Sequence, residues 1–92
     1  MPLCCIFDET EYEGNVFCRG KGRDNLPGSW QKQAKSARCF SGAQMLVSGG
    51  TLDDFDPVPG MVQQEPDLKN IIYGRDGGTY SSRVKAIHIY VA

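Results

Sequence analysis

The sequence predicts an all-β fold, a β-sandwich of two Greek-key motifs, on three observations. Short apolar runs recur between clusters of Gly, Asp, Asn, Pro and Ser; no stretch carries a helical period; and one segment of the first half returns in altered form in the second. With 92 residues, one domain with one core is expected over residues 1–92, the first motif taking about 1–42 and the second about 43–92.

The expected strands are Leu3 to Asp8, Asn15 to Arg19, Ala34 to Phe40, Gln44 to Ser48, Gly60 to Gln63 and Arg83 to Val91. Each is short and ends in residues that favour turns, and 11 glycines and five prolines punctuate the chain. Leu26 to Gly28, Asp53 to Gly60 and Gly74 to Gly78 read as loops, and Asp67 to Ile72 as a short helical turn.

Composition excludes several classes. Hydrophobic residues make up 40% and charged residues 23%, which is ordinary globular usage rather than that of a disordered chain. The longest apolar runs, such as Met45 to Val47, fall far short of the ~20 residues that cross a bilayer, so no membrane association is expected. The start, Met1-Pro2-Leu3-Cys4-Cys5, carries neither a basic leader nor a long apolar stretch. The expectation is a cytoplasmic protein if Met1 is the native start, and a secreted one if a signal was removed.

Net charge is -1, but its distribution is uneven. The acids Asp8, Glu9, Glu11 and Glu13 precede a basic stretch holding Arg19, Lys21, Arg23, Lys32, Lys35 and Arg38 with Asp24 as its one acid. A solvated basic face explains this better than a nucleic-acid or anionic-lipid site, because no aromatic platform is interleaved with it. No nucleic-acid partner is predicted.

The four cysteines, Cys4, Cys5, Cys18 and Cys39, lack the C-x-x-C spacing of a zinc site. Free thiols packed as small residues are the expectation, with one or more bridges the alternative. Strand alternation puts Cys5 and Cys18 outward on neighbouring strands.

The repeat is the strongest signal. Trp30-Gln31-Lys32-Gln33-Ala34-Lys35-Ser36-Ala37-Arg38-Cys39 aligns with Tyr80-Ser81-Ser82-Arg83-Val84-Lys85-Ala86-Ile87-His88-Ile89. In both, an aromatic is followed by three polar residues, an aliphatic, two small or polar positions, and an apolar, basic, apolar triplet. A duplicated supersecondary unit is the physical meaning of such a pair.

These segments resemble the βγ-crystallin domain, in which two Greek keys of about 40 residues form a sandwich. The first hairpin of that family carries an aromatic, six residues and a glycine; Phe7 and Gly14 stand at that spacing, with Tyr12 inside it. A ring that packs over a folded hairpin needs a turn where a residue without Cβ fits best. Trp30 and Tyr80 take the place of the family's Trp, and the resemblance covers essentially the whole chain. The second hairpin lacks such an aromatic-to-glycine pair, and the second half is longer, with an insertion expected around Asp53 to Pro59 or Asp67 to Gly78.

Many relatives bind calcium, which takes six to eight oxygen ligands. The resemblance implies ligands at Gln31-Lys32 and Ser81-Ser82, where the family has Asn or Asp pairs, and at Lys35 and Lys85, where it has hydroxyls, with Ser36 and Ala86 following. A lysine there supplies charge of the wrong sign and no lone pair. Calcium binding is therefore expected to be weak or absent, with Asp76, Ser81, Ser82 and Ser36 as the candidate ligands and no other cofactor. Lys35 or Lys85 is expected to stand in for the ion by pairing with Glu9 or Glu11.

No reaction is expected. His88, the one histidine, occupies the basic slot of its triplet and so faces outward from its strand, away from a cysteine partner. Asp53-Asp54 and Asp8-Glu9 read as solvated turn acids, and Gly74 to Gly78 lacks the Lys-Ser or Lys-Thr of a phosphate loop. The resemblance implies a non-catalytic structural or stress-associated domain. The alternative is a small secreted binding effector on the same fold, a protease inhibitor or antimicrobial toxin, which disulfide bridges would favour. A homodimer through exposed strand edges is a further possibility.

Overall fold

A computed structural model describes residues 2–91. The elements run β1 (Cys4–Phe7), β2 (Val16–Arg19), β3 (Gly22–Asn25), β4 (Ser36–Cys39), β5 (Ala43–Ser48), β6 (Gly60–Val62), β7 (Gln64–Glu65) and β8 (Ala86–Val91), with single 3-10 turns at Leu52–Asp54 and Leu68–Asn70. They form two four-stranded sheets, ordered β2-β1-β4-β7 and β3-β8-β5-β6, and every named pair is antiparallel. Each sheet therefore takes three strands from one half of the chain and its last strand from the other: β3 crosses to the second sheet and β7 to the first. Among the described residues no helix is long and apolar enough to cross a membrane.

All six strands read from the sequence are present; five are one to three residues shorter in total, and β5 begins one residue earlier, at Ala43. The two exchanged strands, β3 and β7, fall outside that reading. Both are edge strands with the sequences GRDN and QE, so the partner's hydrogen-bonding edge, not apolar alternation, makes them strands. The helical turn expected near Asp67 is observed at Leu68–Asn70, where the Asp67 side chain accepts from the Lys69 amide at 3.0 Å.

Alternation places the core. Cys4 and Ile6 of β1, Ala37 of β4, Met45 and Val47 of β5 and Ile87 and Ile89 of β8 point between the sheets, with Val62, Leu68, Tyr80 and Val84 closing the ends. Register aligns Met45 with Ile89 and Val47 with Ile87, so aliphatics face each other in the middle of the second sheet.

The cysteines correct the expectation of free thiols. Cys4 is bridged to Cys39 and Cys5 to Cys18, and none of the four is free. The reason lies in β1, which is flanked by β2 on one side and β4 on the other. Register sets Cys5 opposite Cys18 and Cys4 opposite Cys39, while adjacency on a strand sends Cys4 into the core and Cys5 to the outer face. Adjacent cysteines thus have separate partners. The bridges close spans of 35 and 13 residues, for which the chain-entropy model gives about 4 and about 3 kcal/mol respectively.

Candidate functional site

The two repeated segments meet at the ends of the sheets. Lys32 and Ser82, at equivalent places in the repeat, both hold left-handed backbone conformations, with φ of 64° and 59°. The Lys32 amide donates to the Val84 carbonyl at 3.0 Å and the Ser82 amide to the Ala34 carbonyl at 2.8 Å, so each half caps the other. One residue further on the symmetry continues. The Lys35 amide donates to Phe7 at the end of β1, and the Lys85 amide to Ser48 at the end of β5, both at 2.8 Å.

Two open clefts result. The first, of about 230 Å³, is lined by Glu9, Thr10, Lys35, Lys69 and Ser81. The second, of about 300 Å³, is lined by Lys32, Gly49, Tyr73, Ser82, Arg83 and Lys85. Each combines a hairpin loop and a lysine of one half with a residue that the amide exchange delivers from the other. A wider open groove, about 610 Å³, runs between Asp8, Asn15 and Trp30, but its acid is already engaged: Asp8 accepts the Asn15 amide at 2.8 Å and its side-chain nitrogen at 2.9 Å. Those bonds hold the Asp8 carboxyl below the usual carboxylate range.

The first hairpin is built as the Phe7 and Gly14 spacing requires. Phe7 and Tyr12 pack edge to face at 5.7 Å, and Gly14 turns with φ of 79°, where a Cβ would overlap the Asp8 carboxylate. Ser36 is fully buried beneath this loop; its hydroxyl donates to the Glu9 carbonyl at 2.6 Å and accepts from the Tyr12 amide at 3.1 Å. Both of its bonding functions are thereby spent on the hairpin.

The second hairpin uses different chemistry, which the sequence reading missed. Asp56, 4% exposed, accepts from the Gly49 amide at 2.7 Å and the Tyr80 hydroxyl at 3.2 Å, and its other oxygen lies 2.6 Å from Arg75 Nε. That last approach is a charge contact rather than an aligned hydrogen bond. Arg75 turns its fork onto Asp54, both nitrogens at 3.0 Å, so one guanidinium holds two acids. The same pairing holds Asp54 below the usual carboxylate range and raises Arg75. The Ser48 hydroxyl accepts the Gly50 and Asp56 amides, completing a polar anchor under the loop. Tyr80, fully buried, is pushed up to about 12 first by burial and then by the Asp56 charge. No local motif marks Asp56, whose partners come from three separate segments.

The sequence-predicted ligands are dispersed. Asp76 is ion-paired with Arg83 and accepts the Gly78 amide at 2.8 Å, so its carboxyl lies below the ordinary range. Ser81 lines the first cleft, Ser82 the second, and Ser36 sits under the first hairpin. Lys35 shares a cleft with Glu9, yet the expected pairing of Lys35 or Lys85 with Glu9 or Glu11 does not form. The ion pairs among the described residues join Arg75 to Asp54 and Asp56, and Arg83 to Asp76. Glu11 instead stands where its own amide donates to the Pro66 carbonyl at 2.8 Å. No group of three or more His, Cys, Asp or Glu side chains is placed to hold a metal among the described residues. His88 lies half-buried on the outer face of β8 against Tyr90, at 5.6 Å between rings.

This two-sheet architecture superposes over nearly its whole length on solved structures. The chain has the fold of a βγ-crystallin domain. A βγ-crystallin domain from Flavobacterium johnsoniae superposes with a TM-score of 0.73 at 14% identity, over 97% of this chain and 94% of that one. One from Clostridium beijerinckii gives 0.70 at 15%, over 96% and 97%. The N-terminal domain of protein S gives 0.71 at 10%, over 98% and 97%. No family model matches the chain, and no curated protein matches it by sequence. The βγ-crystallin fold here is thus carried by a sequence in which Trp30 of the first half is answered by Tyr80, and the Ser36 position by Ala86.

Proposed function

We propose that residues 1–92 act as one non-catalytic βγ-crystallin-fold unit, its two motifs meeting near Gly42, and that this unit binds calcium weakly or not at all. The single observation that carries the reading is the cationic lining of both clefts: Lys35 and Lys69 in the first, Lys32 and Lys85 in the second. Ammonium groups offer calcium no lone pair and oppose its charge, and the hydroxyl and carboxyl groups nearby are too few for its coordination. Absence of catalysis is supported by the same accounting: the cysteines are bridged, and His88 lies tilted against Tyr90 on the outer face of its strand. Isothermal titration and thermal unfolding with calcium or chelator test the proposal. Flat heats and an unmoved Tm are expected, and micromolar affinity would refute it.

The two bridges favour a more specific role over a purely structural one, a secreted binding effector acting as a protease inhibitor or antimicrobial toxin. Bridges persist in oxidising surroundings, where small domains use them to hold a binding surface. The oxidised protein would be assayed against metalloproteases and microbial growth, with reduced and alkylated protein as the control. Inhibition lost on reduction supports the effector; inertness of the oxidised protein in both assays leaves the structural role.

A further inference from the structure

We infer that the second cleft is a binding site for a compact dianionic oxyanion, the phosphate or sulfate group of a small molecule. The inference goes beyond the scaffold and effector readings and depends on neither.

The cleft is lined by Lys32, Ser82, Arg83 and Lys85 together with Gly49 and Tyr73. Glycine is required at position 49 because the Tyr73 ring packs directly against it, and a Cβ there would meet the Tyr73 hydroxyl at 2.5 Å. Lys32 and Lys85 come from opposite halves of the chain. They are held together by the reciprocal amides, Lys32 to Val84 and Ser82 to Ala34, so the pairing of the two cations is a property of the fold and not of one flexible loop.

The electrostatics single out this cleft from its pseudo-symmetric twin. In the first cleft, the Glu9 carboxylate shares the lining with Lys35 and Lys69. In the second, the hairpin loop contributes glycine and no acid lines the cleft. The acids of the neighbouring loops are engaged elsewhere: Asp54 and Asp56 by Arg75, and Asp76 by Arg83. Among the described residues neither Lys32 nor Lys85 has a carboxylate within 4.0 Å. Arg83 is neutralised by Asp76, whereas Arg75 balances only one of Asp54 and Asp56 and the Lys85 charge is felt at Asp54, so the surroundings offset part of the two ammonium charges and leave the cleft net cationic.

The donor geometry selects the ligand class. A guanidinium fork suits a planar carboxylate, but the one guanidinium here already carries Asp76 on one of its terminal nitrogens. What remains are two point-like ammonium donors, contributed by opposite halves of the chain, and the Ser82 hydroxyl. That arrangement matches a tetrahedral group with oxygens on all sides and a charge that two lysines balance. The 300 Å³ volume leaves room for such a group with part of the molecule that carries it.

The test is an amide-resolved NMR titration of the oxidised protein with inorganic phosphate and, separately, sulfate, at low ionic strength where exposed charges are least screened. Saturable shifts at Lys32, Gly49, Ser82, Arg83 and Lys85 are expected. Affinity should fall by at least about tenfold in the Lys32→Gln, Lys85→Gln double variant. Lys21→Gln, which removes a cation outside the cleft, should leave it unchanged. Phosphate and sulfate binding alike assigns the site to the shared dianion; binding of phosphate alone narrows it to phosphate esters. Shifts that never saturate, that centre elsewhere, or that survive the double variant overturn the inference. Should that variant lose its native spectrum, Lys85→Met alone, read against wild type, decides the same question.

Discussion

Lys32 and Ser82 occupy equivalent left-handed positions, with φ of 64° and 59°, and each donates its amide to the carbonyl chain of the other's half, at Val84 and Ala34. This reciprocity does the work of a clasp between two Greek keys. It also fixes which residues each cleft receives, because a turn held by an amide from the opposite half cannot rotate independently. A non-glycine residue in this region costs about 1 kcal/mol, which the cross-half bond offsets.

The clasp is therefore expected to tolerate glycine and reject branching. Ser82→Gly should change stability by less than about 0.5 kcal/mol, since relief of the left-handed backbone balances the added freedom of the unfolded chain. Ser82→Val should cost about 2 kcal/mol, because a β-branched residue fits this region worst. Urea midpoints of the two variants measure the difference; equal midpoints would show that the turn relaxes and the amide bond to Ala34 is dispensable.

Asp56 is expected to be the most sensitive polar position. Asp56→Ala strips partners from the Gly49 amide, the Tyr80 hydroxyl and Arg75 together, for a loss of about 3 kcal/mol. Asp53→Ala, three residues away on the exposed side of the same loop, should move stability by no more than about 0.5 kcal/mol. Chemical denaturation of both variants compares them directly, and similar losses would place the anchor of the loop elsewhere.

The contrast between Asp53 and Asp56 also marks how far the sequence is legible. Strands whose residues alternate, such as β5 and β8, declare themselves because burial on one face is written locally. β3 and β7 do not, since an edge strand of Gly, Arg, Asp and Asn or of Gln and Glu is made by the ladder it joins. The repeat correctly pairs Lys32 with Ser82 and Lys35 with Lys85, yet it does not tell that Lys32 and Lys85 line one cleft. That juxtaposition follows from the exchange between halves. Cys4 and Cys5 misled for the related reason that adjacency along a strand says nothing about neighbours across it.

The bridges should differ in accessibility. Each bridge joins a buried cysteine to a half-buried one, Cys5 to Cys18 and Cys4 to Cys39, but Cys5 is 8% exposed on the outer face whereas Cys4 is 1% exposed in the core. Under mild reductant in native buffer, alkylation followed by peptide mass mapping should therefore label Cys5 and Cys18 before Cys4 and Cys39. Replacing the outer pair by serine should cost about 3 kcal/mol, from freedom regained by the unfolded chain. Simultaneous labelling of all four would mean that reduction waits on global unfolding.

Alkaline pH should expose the burial of Tyr80. Its hydroxyl titrates near 10 in the unfolded chain and is pushed up to about 12 in the fold, by burial first and by the Asp56 charge second. A raised folded value means that the folded state holds its proton longer. The neutral tyrosine's contribution is thus fully present below about pH 10 and is lost as pH rises from there through about 12. Tyr80→Phe forfeits the bond to Asp56, worth about 1 kcal/mol at neutral pH, but carries no phenol to ionise. The wild type should therefore lead the variant near neutrality, and that lead should shrink and reverse as pH climbs through this window. Tyr73, raised for the same leading reason, remains in both proteins and contributes equally to each, so it cancels from the comparison. A stability difference that stays constant from neutral pH to about 12 would mean that Tyr80 ionises without penalty, and hence that water reaches its hydroxyl.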